Sequence, residues 1–274
     1  MLICSKCHTS LPDGAKFCMH CGEAVVLEDR REAVTAFLRY EEDLVPQLSR
    51  HFFDMLEETI KSEQDEKLFA VYSERIYTTG FRDILDIHIV QLSLQIPDIK
   101  AEKGEAVTKK TVEEEFRHLI DLFLIYHCND INKIKLPEAI LKHRHTNPTK
   151  VMTYPLVLDF LDFNNEQETV YLDFKTMPPK KFENATTAYL KPGKLEKIIF
   201  ICDQSLLGNG KNGFAMTDDA LYWKIPYKKP NKVRYREVND IRKTEDWITI
   251  NGHFFNASPS LNLKMMRLLR KLKR

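Results

Sequence analysis

The stretch Lys197-Ile198-Ile199-Phe200-Ile201-Cys202-Asp203 sets four large apolar residues in a row between charged ends. An apolar run this short, rich in β-branched residues, is the pattern of a buried strand. Similar signals follow it. The glycine-rich run Gly208-Asn209-Gly210-Lys211-Asn212-Gly213 leads into Phe214-Ala215-Met216-Thr217, a turn at Asp218-Asp219, and Leu221-Tyr222-Trp223-Lys224. Val233 to Val238 alternates as a half-exposed strand does. Trp247-Ile248-Thr249-Ile250, Asn251-Gly252 and His253-Phe254-Phe255 predict a hairpin, because Asn-Gly favours a type I′ turn. A helix follows from about Ser260, with the apolar stripe Leu261, Met265, Leu268, Leu269 and Leu272. Its other face carries Lys264, Arg267, Arg270, Lys271 and Arg274, the candidate anion- or partner-binding residues.

The glycine run formally matches G-x-G-x-x-G. A dinucleotide-binding fold would place a helix after it, with its N-terminus on the pyrophosphate. A strand follows here instead. A kinase phosphate loop is strand–loop–strand, but no V-A-I-K, H-R-D or D-F-G comes after it. The glycines therefore read as a hairpin connection that uses positive φ.

Upstream, the middle of the chain has helical spacing. From Glu28 the apolar residues are Val34, Phe37, Leu38, Leu44, Val45, Leu48, Phe52, Met55, Leu56 and Ile60, with Pro46 expected to kink the run or open a second helix. Residues 66 to 96 also read as helical, although Ile87 to Ile96 partly alternates like a strand; Pro97 is expected to stop either. Ile99 to Val107 reads as a charged loop. Thr111 with Glu114 matches a capping box ahead of Val112, Phe116, Leu119, Ile120, Phe123 and Leu124. Val151 to Phe163 adds one more helix, and Met177-Pro178-Pro179-Lys180 is a break.

At the start of the chain, Cys4-Ser5-Lys6-Cys7 and Cys18-Met19-His20-Cys21 are two C-x2-C pairs separated by ten residues. Each can form a thiolate knuckle, and two knuckles complete a tetrahedral Zn²⁺ site. Four thiolates leave no open coordination position, so the zinc would be structural, a single ion supplying the folding energy of a segment too small to bury a core. His8 and His20 flank ligands already sufficient in number. Cys4 to Gly22, with Leu11-Pro12-Asp13-Gly14-Ala15-Lys16-Phe17-Cys18 between the pairs, resembles the short N-terminal zinc ribbons of bacterial proteins.

A second resemblance covers residues 195 to 274. Cys202-Asp203, Gly208 to Phe214, Thr217-Asp218, Tyr222-Trp223-Lys224, Val238-Asn239-Asp240-Ile241 and Ile250-Asn251-Gly252 look like a bacterial pleckstrin-homology-like (PH-like) module. That resemblance implies a bent antiparallel sheet closed by the terminal helix and leaves the ligand open, since many such modules bind proteins or peptides. The expected fold class is thus α+β: a zinc ribbon at 1–25, a mainly helical domain at 28–165, and a PH-like β domain with its C-terminal helix at 180–274.

Composition fits a globular, cytoplasmic protein. The 274 residues are 43% hydrophobic and 30% charged, and no apolar run approaches a membrane span. The N-terminus lacks an apolar secretory core. The net charge of +1 hides an asymmetry: residues 28 to 66 hold 12 acidic and 5 basic residues, and residues 220 to 274 hold 14 basic and 4 acidic. Either the basic end meets phosphate, anionic lipid or an acidic protein, or the two segments face one another.

Catalytic signals are thin. Cys128 and Cys202 sit in apolar surroundings. His88, His118 and His127 lie in helical patterns, His143 and His145 could bind a metal only with further ligands, and Asp159 and Asp162 would share a helix face. The expectation is a non-enzymatic adaptor or regulator with one structural Zn²⁺, binding protein partners through its helical and PH-like regions. The alternative is a nucleic-acid-associated regulator, with Lys224, Lys228, Lys229, Lys232, Arg234 and the terminal helix in one stripe with the ribbon. A weak electrostatic contact of that helix with anionic membrane is a variant of the first.

Overall fold

The computed structural model describes residues 2–3, 10–11, 21, 37–146, 148 and 150–273. The chain divides into two compact units, Met1–Gln47 and Leu48–Arg274. In the first, β1 (Leu2–Ile3) pairs antiparallel with β2 (Ser10–Leu11), Leu2 opposite Leu11 and Ile3 opposite Ser10. Residues 37–43 are turns rather than the helix their apolar spacing predicts. They end in a cap: Asp43 accepts from the Val45 N–H (3.0 Å), and the Gln47 amide bonds the Arg39 N–H and carbonyl (2.9 and 3.0 Å). The cap starts α1 (Leu44–Glu63) with Pro46 in its first turn, where a missing N–H leaves no helical bond unmade.

In the second unit α1 buries Leu48, Phe52, Leu56 and Ile60 along one stripe. Next come α2 (Phe69–Thr78), α3 (Phe81–Lys103) and α4 (Glu105–Tyr126). Phe52 meets Phe81 and Phe116 at 6.4 and 5.6 Å, and Phe81 meets Phe123 at 4.7 Å, so α1, α3 and α4 share one aromatic core. Two expectations fail here. Pro97 does not stop α3, and the stretch read as a charged loop belongs to the two helices, joined at Gly104. Leu92 and Ile96 are buried and Pro97 faces outward, so packing outweighs the lost backbone bond of about 3 kcal/mol. The same shift makes Thr111 an interior residue of α4, its hydroxyl bonded to the Val107 carbonyl (2.9 Å), not a cap. Beyond α4, a 3₁₀ segment at Glu138–His143 precedes α5 (Lys150–Leu161), and α6 (Pro179–Ala188) begins at the proline break.

The architecture is mixed α+β, with helices through the middle and an antiparallel region closed by a helix after it. One sheet runs in the order β3 (Thr169–Tyr171), β4 (Ile198–Asp203), β5 (Gly213–Thr217), β6 (Ala220–Lys224), β7 (Asn231–Arg234). The other holds β8 (Ile241–Thr244), β9 (Trp247–Ile250) and β10 (His253–Phe255), with β9 central. Asn251 (φ +49°) and Gly252 (φ +79°) form the expected turn between β9 and β10. The strand expected through Val238 ends at Arg234, because Tyr235 begins a 3₁₀ turn and its hydroxyl bonds the Thr217 carbonyl (2.5 Å).

The two sheets are tied by aromatic contacts. Phe200, Phe214, Phe255 and Trp223 stand edge to face in sequence, at 5.6, 5.3 and 6.0 Å. The Trp223 indole N–H donates to the Phe254 carbonyl across the gap (2.8 Å). At the foot of the first sheet Glu196 accepts from Thr217, Tyr222 and Lys232 (3.0, 2.7 and 3.0 Å). The final helix, α7 (Pro259–Leu272), is N-capped by Ser258 and packs on both α5 and β8.

Candidate functional site

β1 and β2 flank the first C-x2-C in sequence and pair antiparallel, with Ile3 opposite Ser10. Cys21 is half-buried at a turn. Cys4, Cys7 and Cys18 lie outside the described residues. As a donor set, four cysteines in two C-x2-C pairs suit a tetrahedral zinc site of the closed, structural kind.

The cations of α7 are directed into the chain. Lys264 is 3% exposed; it donates to Glu166 (2.6 Å) with Asp162 at 3.6 Å. Arg267 bonds Glu63 (2.7 Å) and Asp121, and Arg270 reaches the same Glu63 (3.2 Å). Lys271 donates to the Arg144 carbonyl (3.0 Å). Arg274 lies outside the described residues. Glu63 belongs to the acidic segment and Arg267 and Arg270 to the basic one, so those segments meet within the fold. Of the wider basic set, Lys232 pairs with Glu196, and Arg234 with Asp219 and Glu237. Lys228 and Lys229 are exposed.

The residues singled out for chemistry are dispersed. Burial pushes the Cys128 thiol up to about 12 and the Cys202 thiol higher still, so neither is a thiolate at neutral pH. The His127 pKa is lowered by burial, its ring against Phe81 and Phe123. Asp159 and Asp162 do not share a helix face, because α5 ends at Leu161 and Asp162 turns away at φ +47°. Asp159 instead accepts from Lys142 (2.7 Å) and meets His143 Nε2 (2.6 Å), while His143 Nδ1 lies 3.3 Å from the Thr146 hydroxyl. His143 is buried near Phe160, and the pair fastens the 3₁₀ segment to α5. The described residues contain no group of three or more His, Cys, Asp or Glu that could hold a metal. No helix among them is long and apolar enough to cross a membrane.

Sequence reasoning passed over two surfaces. One is the outward face of α3, where Ile84, Ile87, Val90 and Leu94 are exposed opposite the buried Leu85, Ile89, Leu92 and Ile96. The apparent alternation of Ile87 to Ile96 was that double-sided helix. The other is the pair of connections carrying Leu206, Leu207 and Tyr227, whose only signal was Leu-Leu beside the glycine run.

In comparison with known proteins, residues 3–25 match the zinc-ribbon domain family. No curated protein and no solved structure matches the chain.

Proposed function

We propose that the chain is a non-enzymatic, zinc-stabilised adaptor of the bacterial cytoplasm. In this reading Cys4, Cys7, Cys18 and Cys21 hold one structural ion, and the outer face of α3 receives a protein partner. The observation that carries it is α3 itself. A surface helix ordinarily turns polar residues outward; this one presents Ile84, Ile87, Val90 and Leu94. Exposed Asp83 and Asp98 flank the stripe, favouring a partner segment with an apolar face and basic ends. A PH-like β region is supported by the strand order, β4 to β7 in one sheet, β8 to β10 in another, and α7 after them. The nucleic-acid alternative draws little from α7, whose arginines already face carboxylates.

Two measurements test this. Metal analysis should return one zinc per chain, lost in Cys4→Ser and Cys18→Ser; unchanged zinc in both would remove the ligand assignment. Proteins captured by the full chain should disappear with Leu94→Glu, and the isolated partner should protect residues 84–94 from hydrogen exchange. Capture that ignores Leu94→Glu, or tight salt-sensitive binding to duplex DNA instead, would overturn the α3 reading.

A further inference from the structure

The outer face of α3 carries a pattern as well as exposure. Leu94 is 73% exposed and Ile87 58%, with Val90 and Pro97 exposed beside them. Ile87, Val90, Leu94 and Pro97 follow one another at intervals of three, four and three, and exposed Ala101 lies four further on. That alternation is the a/d spacing of a coiled-coil seam. Ile84 adds apolar area toward the N-terminal end, so the stripe from Ile84 to Pro97 runs about 20 Å. The buried residues of α3 fill its opposite face, and the seam is therefore surplus to what holds the helix in the fold.

One sign of charge surrounds the seam. Residues 83–98 contain three Asp and no Lys or Arg. Asp86 is paired with Arg82 (2.8 Å). Exposed Asp83 and Asp98, at the two ends, have no ion pair among the described residues. The cations that follow Asp98 in the chain, Lys100 and Lys103, face Glu105 and Glu102 (3.8 and 4.0 Å).

We infer that this face takes one basic amphipathic α-helix of another protein, laid along α3 as a two-stranded coiled coil of about four turns. Ile87, Val90, Leu94 and Pro97 form the seam, and Asp83 and Asp98 face Lys or Arg of the incoming helix. The inference rests on the α3 reading above and names the class of partner. An extended peptide is disfavoured, because a helix offers it no strand edge and its N–H and C=O groups would go unpaired over the apolar stripe. An incoming helix brings its backbone already bonded. Charge disfavours a second copy of this chain. Antiparallel pairing about the middle of the stripe sets Asp83 of one copy beside Asp98 of the other, and parallel pairing sets each against itself. An anionic bilayer would meet the same carboxylates, whereas helices that lie on bilayers flank their apolar face with Lys and Arg.

The test titrates fluorescein-labelled synthetic helices of about three heptads, with Ile and Leu at a and d, with the full, zinc-loaded chain at about 0.15 M salt. One helix has Lys at e and g, a second has Glu there, and a third peptide has the composition of the first in an order that makes no stripe. The Lys helix is expected to bind at least tenfold tighter than either of the others. Asp83→Lys/Asp98→Lys should reverse the order of the Lys and Glu helices, and Leu94→Glu should weaken the Lys helix at least tenfold. Thermal unfolding should not change, since these side chains lie in water. No binding of the Lys helix, equal binding of the Glu helix, or an order unchanged by the charge reversal would overturn the inference. So would equal binding of the scrambled peptide, which would make the face a general site for cations, or a dimer of the full chain that Leu94→Glu dissolves, which would assign it to a second copy. In each case the α3 reading is decided separately, by whether Leu94→Glu still abolishes capture of the partner.

Discussion

Gly213 shows how tightly a single position can be constrained. A Cβ there would lie 2.0 Å from the Cys202 carbonyl oxygen, at φ +140°. Gly213→Ala is therefore expected to cost about 3 kcal/mol or more, read as a lower urea midpoint. Asn251 is constrained by its bonds. Its carboxamide accepts from the Asn239 and Asp240 N–H groups (2.8 and 3.1 Å) and donates to the Glu237 carbonyl (2.7 Å). Asn251→Ala should cost about 2 kcal/mol in the same assay, because it loses these bonds and places alanine at positive φ. A third position sets a pH response. Burial, with Arg144 nearby, lowers the His118 pKa to about 4. The unfolded chain takes up this proton near pH 6.5 and the folded chain does not until about 4, so stability falls as pH drops through that window and is unaffected above it. For a partly exposed ring the loss is about 1 kcal/mol after screening. Urea midpoints at neutral and acid pH should show the drop, and His118→Asn should flatten it.

At the scale of elements, α7 is the part on which the rest leans. Arg267→Ala would leave Glu63, 4% exposed, with Arg270 as its remaining cation, and Asp121 without its guanidinium. A loss of about 3–5 kcal/mol is expected in denaturant unfolding. Arg267→Lys should recover only part of it, since an ammonium lacks the fork that reaches two carboxylates. The same helix shows why some elements were legible and others not. Its apolar stripe, the β9–β10 turn and the buried β4 are local patterns, and their signals lie within a few residues. The boundary of α3 and α4 was misread because Pro97 and the charges around Gly104 look like a loop until α4 packs against α3. The charge asymmetry allowed the segment of Arg267 to face the acidic one, but its individual partners could not be read. Its partners stand 204 and 146 positions away, and no local spacing encodes such a pairing. The zinc-ribbon match at residues 3–25 was legible because that family repeats its C-x2-C pairs at short, fixed intervals.

For the whole molecule, the pairing of Glu63 with Arg267 joins helices from opposite parts of the second unit, and so it makes a statement about time. A ribosome adding about 5–20 residues per second would need roughly 10–40 s to travel between those two positions. Throughout that interval Glu63 lacks its guanidinium and stays hydrated, as does Asp121 once it is made, and the newly made α5 lacks the helix that covers it. The helical layer can collapse early, but it cannot lock. Nascent chains stalled between residues 130 and 260 should thus be digested readily by protease, and chains carried beyond residue 272 should resist. Synthesis of α7 acts as a latch: the protein becomes durable only when that helix closes over carboxylates laid down half a minute before.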